Sequence, residues 1–254
     1  MTCIDGSAQV GSSVGSPHLS RTDDLEARAA DVAALLAAVL GDGDLGSERC
    51  RAARALSEAA VTTLGLEPEQ LVYAELDVGS VARILDAVDV EDDDRFLDIG
   101  CGDGLPTFAA ALLYPDRFRA CRGVEIVSEL VGRAEANALQ LRRALHDGPL
   151  RAAPIEFFRG DIYRATRQPR SRVAGVLRDT TLALCFATTW SHEPRRTLSE
   201  LSQTLSETMP AGARVVLVDA RLVEGDGWRW EGDLRITTPD TAPYSTARLY
   251  VRVT

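Results

Sequence analysis

The chain has 254 residues, 45% of them hydrophobic and 26% charged, which is enough for one large domain with a buried core. Its net charge of −10 makes direct binding to nucleic acid unexpected, because phosphate contacts need clustered basic residues; a basic protein would be attracted instead. All basic residues apart from the three histidines are arginines, so the chain offers no lysine for catalysis.

The cysteines and the hydropathy of the chain indicate in which cellular compartment the protein is expected. The five cysteines are scattered and form no CxxC pair, which argues against a disulfide framework and against a zinc site. We find no basic region followed by an apolar one at the N-terminus, and no apolar run long enough to span a bilayer. We therefore expect a soluble intracellular protein without a metal site or a membrane partner, in a cytoplasm or a nucleus.

The pattern of the N-terminal part of the chain predicts a tail followed by two helices. Residues 1–22 are rich in Gly and Ser and predict a disordered tail. One helix begins at Thr22 or Asp23 and ends before the GDGDLG segment. A second runs from about Ser47 to Leu64 with Ala52, Leu56 and Ala60 on its apolar face. We expect residues 23–72 to form a small helical cap beside a main domain of residues 73–254.

The main domain alternates strands and helices from Phe96 onward. The strand segments are RFLDIG, ACRGVEI, IEFFRGD, TLALCFA and ARVVLVDA, with helical segments such as LPTFAAALLY and SELVGRAEANALQLRRAL between them. Two further strands, GWRWEGDLRIT and TARLYVRVT, follow without an intervening helix. This order predicts an α/β fold with a Rossmann-like, doubly wound, seven-stranded sheet, mainly parallel and closed by an antiparallel C-terminal strand.

The loop after the first strand carries the most informative motif, LDIGCGDG, residues 97–104. Its glycines, Gly100, Gly102 and Gly104, have the spacing GxGxG, whereas dinucleotide folds use GxGxxG and a phosphate-binding P-loop needs a following lysine. GxGxG after an apolar strand that ends in Asp98 resembles motif I of class I S-adenosylmethionine-dependent methyltransferases.

The chemistry of that cofactor suits the acids that end three successive strands. Asp98 is placed to pair with the ammonium of the methionine end, and the glycines allow close approach of the backbone. Glu125, at the end of the second strand, can accept hydrogen bonds from the ribose diol. The resemblance implies that Asp161, after the third strand, contacts the adenine amino group.

Several segments resemble the narrower family of Dot1-like histone lysine methyltransferases over residues 71–254. LVYAELDVGSVARIL resembles that family's "YGEL" loop and following helix, DTTLALCFATTW precedes a helix and PAGARVVLVDARL, and PYSTARLYVRV resembles its closing strand. The resemblance implies that Glu75 reaches the methionine end of the cofactor and that Tyr73 walls the site. Ala74 stands where members usually have glycine, and Phe186 or Ala187 where many have asparagine.

The predicted activity is methyl transfer to a lysine of a basic protein such as a histone. A lysine nucleophile must be neutral, which costs roughly 4.6 kcal/mol at pH 7, and an apolar channel lowers that cost. The candidates for an aromatic channel are Tyr73, Phe186, Trp190 and Tyr244. His192 is a weaker candidate for a base. We interpret the acidic run at residues 91–94 as a solvated loop.

Two other functions stay open at this point. A methyltransferase of the same fold could act on a small molecule or on another side chain, which a substrate pocket capped by the N-terminal helices would favour. The chain could also be a degenerate cofactor-binding module without transfer activity, an alternative that the Ala74 and CFATTW departures keep open.

Overall fold

A computed structural model describes residues 21–41, 47–66, 71–146, 148–188, 190, 193–225, 227–238 and 241–253. The predicted tail lies outside the described residues up to position 20, and a helix already begins at Arg21. None of the helices in these ranges is long and apolar enough to cross a membrane.

Seven strands form one sheet in the order β3-β2-β1-β4-β5-β7-β6. Their bounds are β1 Asp94–Ile99, β2 Phe118–Glu125, β3 Ile155–Arg159, β4 Leu182–Phe186, β5 Arg214–Val218, β6 Trp228–Thr238 and β7 Thr241–Arg252. Strands β1 to β5 pair in parallel, whereas β7 pairs antiparallel with both β5 and β6. The predicted Rossmann-like, seven-stranded fold is therefore confirmed.

Helices cover both faces of the sheet. Their bounds are α1 Arg21–Leu40, α2 Glu48–Leu64, α3 Val78–Ala87, α4 Leu105–Leu113, α5 Ser128–His146, α6 Arg172–Asp179 and α7 Ser199–Thr208. Successive strand residues serve opposite faces: in β1, Phe96 packs in the core beneath α3 and α4, and Leu97 in the core beneath α6 and α7. This period of two places a hydrophobic core on each side of the sheet.

The first helix packs as part of the main core. Val32 and Leu36 of α1 are buried in the same core as α3 and α4, and Arg28 donates from Nη2 to the backbone oxygen of Leu112 at 3.0 Å. The division into a helical cap of residues 23–72 and a main domain stays a prediction, and α1 packs directly against helices of the main domain. Its apolar face is wide enough to join the layer of helices that covers the sheet.

Helix α2 has the predicted bounds, but its buried face differs in part from the predicted one. Ser47 caps its N-terminus by accepting from the backbone N–H of Cys50 at 3.1 Å. The buried side includes Arg49, Ala53 and Ser57 and the predicted Ala60, whereas the predicted Ala52 and Leu56 are only partly buried. The apolar pattern misplaces the face because α2 buries two polar side chains that bond to distant segments.

The acidic run before β1 is only partly a solvated loop. Asp94 is buried and accepts hydrogen bonds from Thr181 Oγ1 at 2.6 Å and from the backbone N–H of Glu91 at 2.8 Å. It also forms an ion pair with Arg214. The last acid of the run therefore fixes the start of β1 to β4 and β5, while the three acids before it are exposed.

Candidate functional site

A cleft of about 230 Å³ opens at the carboxyl ends of the parallel strands, where open parallel sheets bind their ligands. Nine of the predicted site residues line it: Tyr73, Glu75, Asp98, Gly100, Gly102, Glu125, Asp161, Phe186 and Trp190. They come from the loop before α3 and from the ends of β1, β2, β3 and β4.

The turn after β1 requires glycine at Gly100 and Gly102, with φ of +76° and +55°. A Cβ at Gly102 would lie 2.7 Å from Cε2 of Tyr73, and one at Gly100 would lie 3.2 Å from Cζ2 of Trp190. The absence of side chains therefore lets two aromatic rings close on the turn from either side.

Asp98 is buried at the floor of the cleft. Thr107 Oγ1 donates to its Oδ2 at 3.0 Å. Burial raises the pKa of Asp98 to about 7, and the nearby charge of Glu125 acts in the same direction. A cation bound beside Asp98 would reverse part of this effect, because an opposite charge favours the ionised form.

Glu125 accepts three backbone hydrogen bonds at the end of β2. Its Oε1 accepts from the N–H groups of Ile126 at 2.8 Å and Val127 at 2.9 Å, and its Oε2 accepts from Gly102 at 3.0 Å. Burial raises the pKa of Glu125, and these bonds oppose the rise. An ionised carboxylate has about four acceptor positions, so one stays open on Oε2 for a hydroxyl donor from the cleft.

Asp161 caps the 3₁₀ turn Ile162–Arg164 after β3. Its Oδ1 accepts from the N–H of Tyr163 at 2.9 Å, and its Oδ2 pairs with Arg164 Nε at 3.1 Å. The carboxylate is thus fixed at the edge of the cleft, next to the apolar side chain of Ile162. A flat ring held against Ile162 would place its polar edge near Asp161.

Glu75 belongs to a buried ionic cluster that sequence patterns do not reveal. Arg49 donates from Nη1 to Glu75 Oε1 at 2.9 Å and to Asp103 Oδ1 at 2.7 Å, and its Nη2 donates to Glu75 Oε2. The hydroxyl of Tyr73 bonds to both carboxylates. Asp103 stands inside the LDIGCGDG motif, so an acid between the last two glycines is a usable signal, whereas Arg49 has none.

Aromatic side chains form one wall of the cleft. Phe186 at the end of β4 and Trp190 beyond it both line the cleft, as predicted. Tyr163 lines it too, with its ring centroid 6.2 Å from that of Trp190. Tyr163 is absent from the predicted site, although it follows the predicted Asp161 by two positions.

Two predicted residues are not brought into the cleft, and one lies outside the described residues. Gly104 caps α4, where a Cβ would meet Phe157 at 2.7 Å, so it serves packing below the turn. Tyr244 on β7 is 46% exposed and lies beneath the guanidinium of Arg235, 4.6 Å from the ring centroid. Its role in a channel stays a prediction without support from this packing. His192 is outside the described residues.

The charge of the cleft suits a cationic ligand. Among the described residues that line it, Glu75, Asp98, Glu125 and Asp161 are acids and none is basic. S-Adenosylmethionine carries a sulfonium and an ammonium against one carboxylate, so its net positive charge fits this lining. In the described ranges, no group of His, Cys, Asp and Glu side chains could hold a metal ion.

Comparison with known proteins narrows the class. The model of a family described as "Histone methylation protein DOT1" matches residues 68–215, more than half of the chain. No curated protein matches. The fold is shared with the protein PH1948 from Pyrococcus horikoshii, which is 14% identical over 90% of this chain and 100% of that one, with a TM-score of 0.50.

Two further solved structures are similar at lower TM-scores. An RNA methyltransferase from Salinibacter ruber in complex with S-adenosyl-L-homocysteine is 23% identical, over 69% of this chain and 91% of that one, at a TM-score of 0.44. A SAM-dependent methyltransferase from Methanosarcina mazei is 13% identical, over 66% of this chain and 97% of that one, at a TM-score of 0.47.

The family match covers the loop before α3, the glycine turn and strands β1 to β4. These are the elements that supply the acids and aromatic side chains of the cleft. The chain therefore belongs to the DOT1 histone methylation family and is a class I S-adenosylmethionine-dependent methyltransferase.

Proposed function

We propose that the cleft binds S-adenosylmethionine and that the protein transfers its methyl group to the side-chain amine of a lysine in a basic protein such as a histone. The match to a histone methylation family over residues 68–215 carries this choice of acceptor. The net charge of −10 supports it, because a basic substrate is attracted to an acidic protein.

Each part of the cofactor has a complementary group in the cleft. Asp98 lies on the floor of the cleft, where an ammonium or a sulfonium would offset the cost of ionising the buried carboxyl. The open acceptor position of Glu125 suits a ribose hydroxyl, and Asp161 beside Ile162 suits an adenine edge. All four acceptor positions of Glu75 are occupied by Arg49, Tyr73 and Cys50, so a contact between Glu75 and the methionine end would replace one of these bonds.

The aromatic wall suits the acceptor amine. The bound cofactor supplies an electrophilic methyl group on its sulfonium, and the protein must align the amine with it. Phe186, Trp190 and Tyr163 provide a surface with little hydration, which lowers the pKa of a lysine amine and favours its neutral, nucleophilic form. The same side chains exclude water from the cleft.

A second candidate is transfer to a small molecule. Many members of the resembling family carry asparagine where this chain has Phe186 or Ala187, so this chain offers no amide there to orient a protein backbone or an amine. Phe186 lines the cleft instead. Against a small-molecule pocket, the described residues that line the cleft include none from α1 or α2, and these helices therefore do not cap it.

The test is methyl transfer to histones, read by mass spectrometry of lysine. Because this chain contains no lysine, every methyl-lysine in the reaction comes from the substrate, provided that the purification tag is lysine-free. We expect methyl-lysine on a histone with the wild type and several-fold less with Glu125→Ala, at a cofactor concentration near the Kd of the wild type. Cofactor binding without methyl-lysine on any basic protein would overturn the proposed acceptor and leave a small-molecule acceptor or a non-catalytic module.

A further inference from the structure

The buried ionic cluster joins a helix outside the family match to the cofactor cleft. Arg49 lies on α2, before the matched residues 68–215, and is only 5% exposed. Its partner Glu75 belongs to the loop 71–77, and its partner Asp103 to the turn after β1. One guanidinium therefore holds the loop and the glycine turn together.

The contacts leave the carboxylate of Glu75 little freedom. Its Oε1 accepts from Arg49 Nη1 and from the hydroxyl of Tyr73, and its Oε2 accepts from Arg49 Nη2 and, at 3.7 Å, from Cys50 Sγ. A bidentate guanidinium fixes the orientation of a carboxylate as well as its position. The conformation of the loop at Glu75 is thus set from α2.

The other side of the guanidinium is equally well defined. Arg49 Nη1 contacts both oxygens of Asp103, at 2.7 and 2.9 Å. Asn137 of α5 donates to the backbone oxygen of Asp103 at 3.2 Å. Asp103 is therefore a fixed anchor, and Arg49 transmits its position to the loop.

A second bond ties α2 to the same loop. Ser57 Oγ, on the buried side of α2, donates to the backbone oxygen of Leu71 at 2.7 Å. Helix α2 thus holds the loop at its first residue through Ser57 and at Glu75 through Arg49. Between these points lies Tyr73, whose ring covers Gly102.

We propose that Arg49 is a positioning residue for cofactor binding, which holds loop 71–77 against the glycine turn so that Tyr73 and Glu75 complete the cleft. This inference rests on the proposed function, and it makes α2 part of the cofactor site. Without the guanidinium, Glu75 loses its ion pair and Asp103 is left with the longer ion pair to Arg133 at 3.7 Å. The two carboxylates then repel each other more strongly, and the loop moves away from the turn.

The test compares Arg49→Met with Arg49→Lys and with Arg51→Met, which removes an exposed arginine from the same helix. S-Adenosylhomocysteine is titrated by calorimetry, and hydrogen exchange is followed in residues 71–77 and, as a folding control, in β1 and β2. We expect Arg49→Met to weaken binding at least tenfold and to speed exchange in the loop while the strands stay protected. Arg49→Lys keeps the positive charge but not the bidentate guanidinium, and we expect it to lose less affinity than Arg49→Met. The affinity of Arg51→Met should stay within twofold of wild type.

A double variant separates action through Glu75 from general destabilisation. Once Glu75→Gln has removed the charge that Arg49 holds, adding Arg49→Met should cost less than a further threefold in affinity. This double variant also removes the charge of one of the two carboxylates and keeps the test available if Arg49→Met fails to fold.

The outcomes distinguish this inference from the proposed function. If the wild type binds and Arg49→Met binds equally well with unchanged loop exchange, Arg49 is not a positioning residue and the proposed function stands. Fully additive losses in the double variant would likewise overturn action through Glu75. If the wild type binds but no histone lysine is methylated, only the acceptor is wrong. A folded wild type that does not bind overturns both.

Discussion

The ring of Tyr73 lies directly against the backbone of Gly102, so that a Cβ on that glycine would stand 2.7 Å from Cε2 of the ring. Tyr73 comes from the loop before α3, and Gly102 from the turn after β1. The two segments that enclose the cleft therefore meet at a point where only a hydrogen atom fits.

Replacing Gly102 by alanine should open this contact. The methyl group forces the ring of Tyr73, and with it loop 71–77, away from the turn. We expect Gly102→Ala to weaken S-adenosylhomocysteine binding at least tenfold, as measured by calorimetry. Gly212→Ala is the matched control, because Gly212 also has a positive φ, +81°, but a Cβ there would meet no neighbouring atom within 4 Å. Equal affinities of the two variants would contradict the contact.

The affinity for the ammonium of the cofactor's methionine end should depend on pH through Asp98. Its pKa, raised by burial to about 7, means that the carboxyl is mostly neutral at pH 6 and mostly ionised at pH 8. We expect affinity for S-adenosylhomocysteine, whose ammonium needs the anion, to rise about tenfold between these values. In Asp98→Asn the change should largely disappear; an unchanged pH profile would show that Asp98 does not contact the ligand's charge.

The same carboxyl should affect stability in the opposite sense. An ordinary Asp ionises near pH 3.9, so between pH 4 and 7 the unfolded chain releases a proton that folded Asp98 keeps. The contribution of Asp98 to the free energy of unfolding therefore falls as pH rises through this window and levels off above it. Without ligand, Asp98→Asn should melt above wild type at pH 8, with a smaller difference at pH 5. The pKa of Glu75 is also raised to about 7, so the stability of the wild type alone reflects both carboxyl groups. The difference between wild type and Asp98→Asn reports the contribution of Asp98.

Asp219 should control the segment that carries Trp190. Asp219 has a φ of +59° at the end of β5; its Oδ2 accepts from Thr188 Oγ1 and its Oδ1 from the N–H of Thr246, both at 2.8 Å. Arg196 donates to the backbone oxygen of Thr188 at 2.8 Å. Asp219→Ala should speed exchange of the Trp190 amide and lower methyl transfer several-fold, with S-adenosylhomocysteine affinity within twofold of wild type.

Asparagine at the same position supplies the control for Asp219. Its amide can still accept from Thr246 and bond to Thr188, and asparagine tolerates a positive φ. Asp219→Asn should therefore retain most of the transfer rate. If it is as impaired as Asp219→Ala, the charge of Asp219, rather than its bonds to this segment, is what matters.

The sheet and most of the cleft follow from local sequence patterns. Strands such as RFLDIG are short apolar runs that end in an acid, and parallel strands bring their carboxyl ends to one edge. Each of the acids Asp98, Glu125 and Asp161 lies at or just after the end of its own strand in the sequence. Their common position in the cleft could therefore be predicted. The turn glycines could be predicted because their positive φ angles favour glycine over residues with a side chain.

The parts that could not be predicted depend on partners far away in the chain. Arg49 lies 26 residues from Glu75 and 54 from Asp103, and Asp94 lies 120 residues from Arg214. A charged residue on an amphipathic helix, or in a run of acids, has the pattern of a solvated side chain until its partner is known. Helix α6 is not among the predicted helices for a different reason. It has only eight residues, which are too few to show a clear apolar periodicity.

The measurement that tests the central claim most directly is titration of S-adenosylhomocysteine into the wild type and into Glu125→Ala by calorimetry. The cleft as described predicts micromolar binding by the wild type and at least a tenfold loss in Glu125→Ala, because the variant lacks both the open acceptor for the ribose and the bond to Gly102. No binding by a correctly folded wild type would contradict the placement of the cofactor in this cleft, as would equal binding by the two proteins.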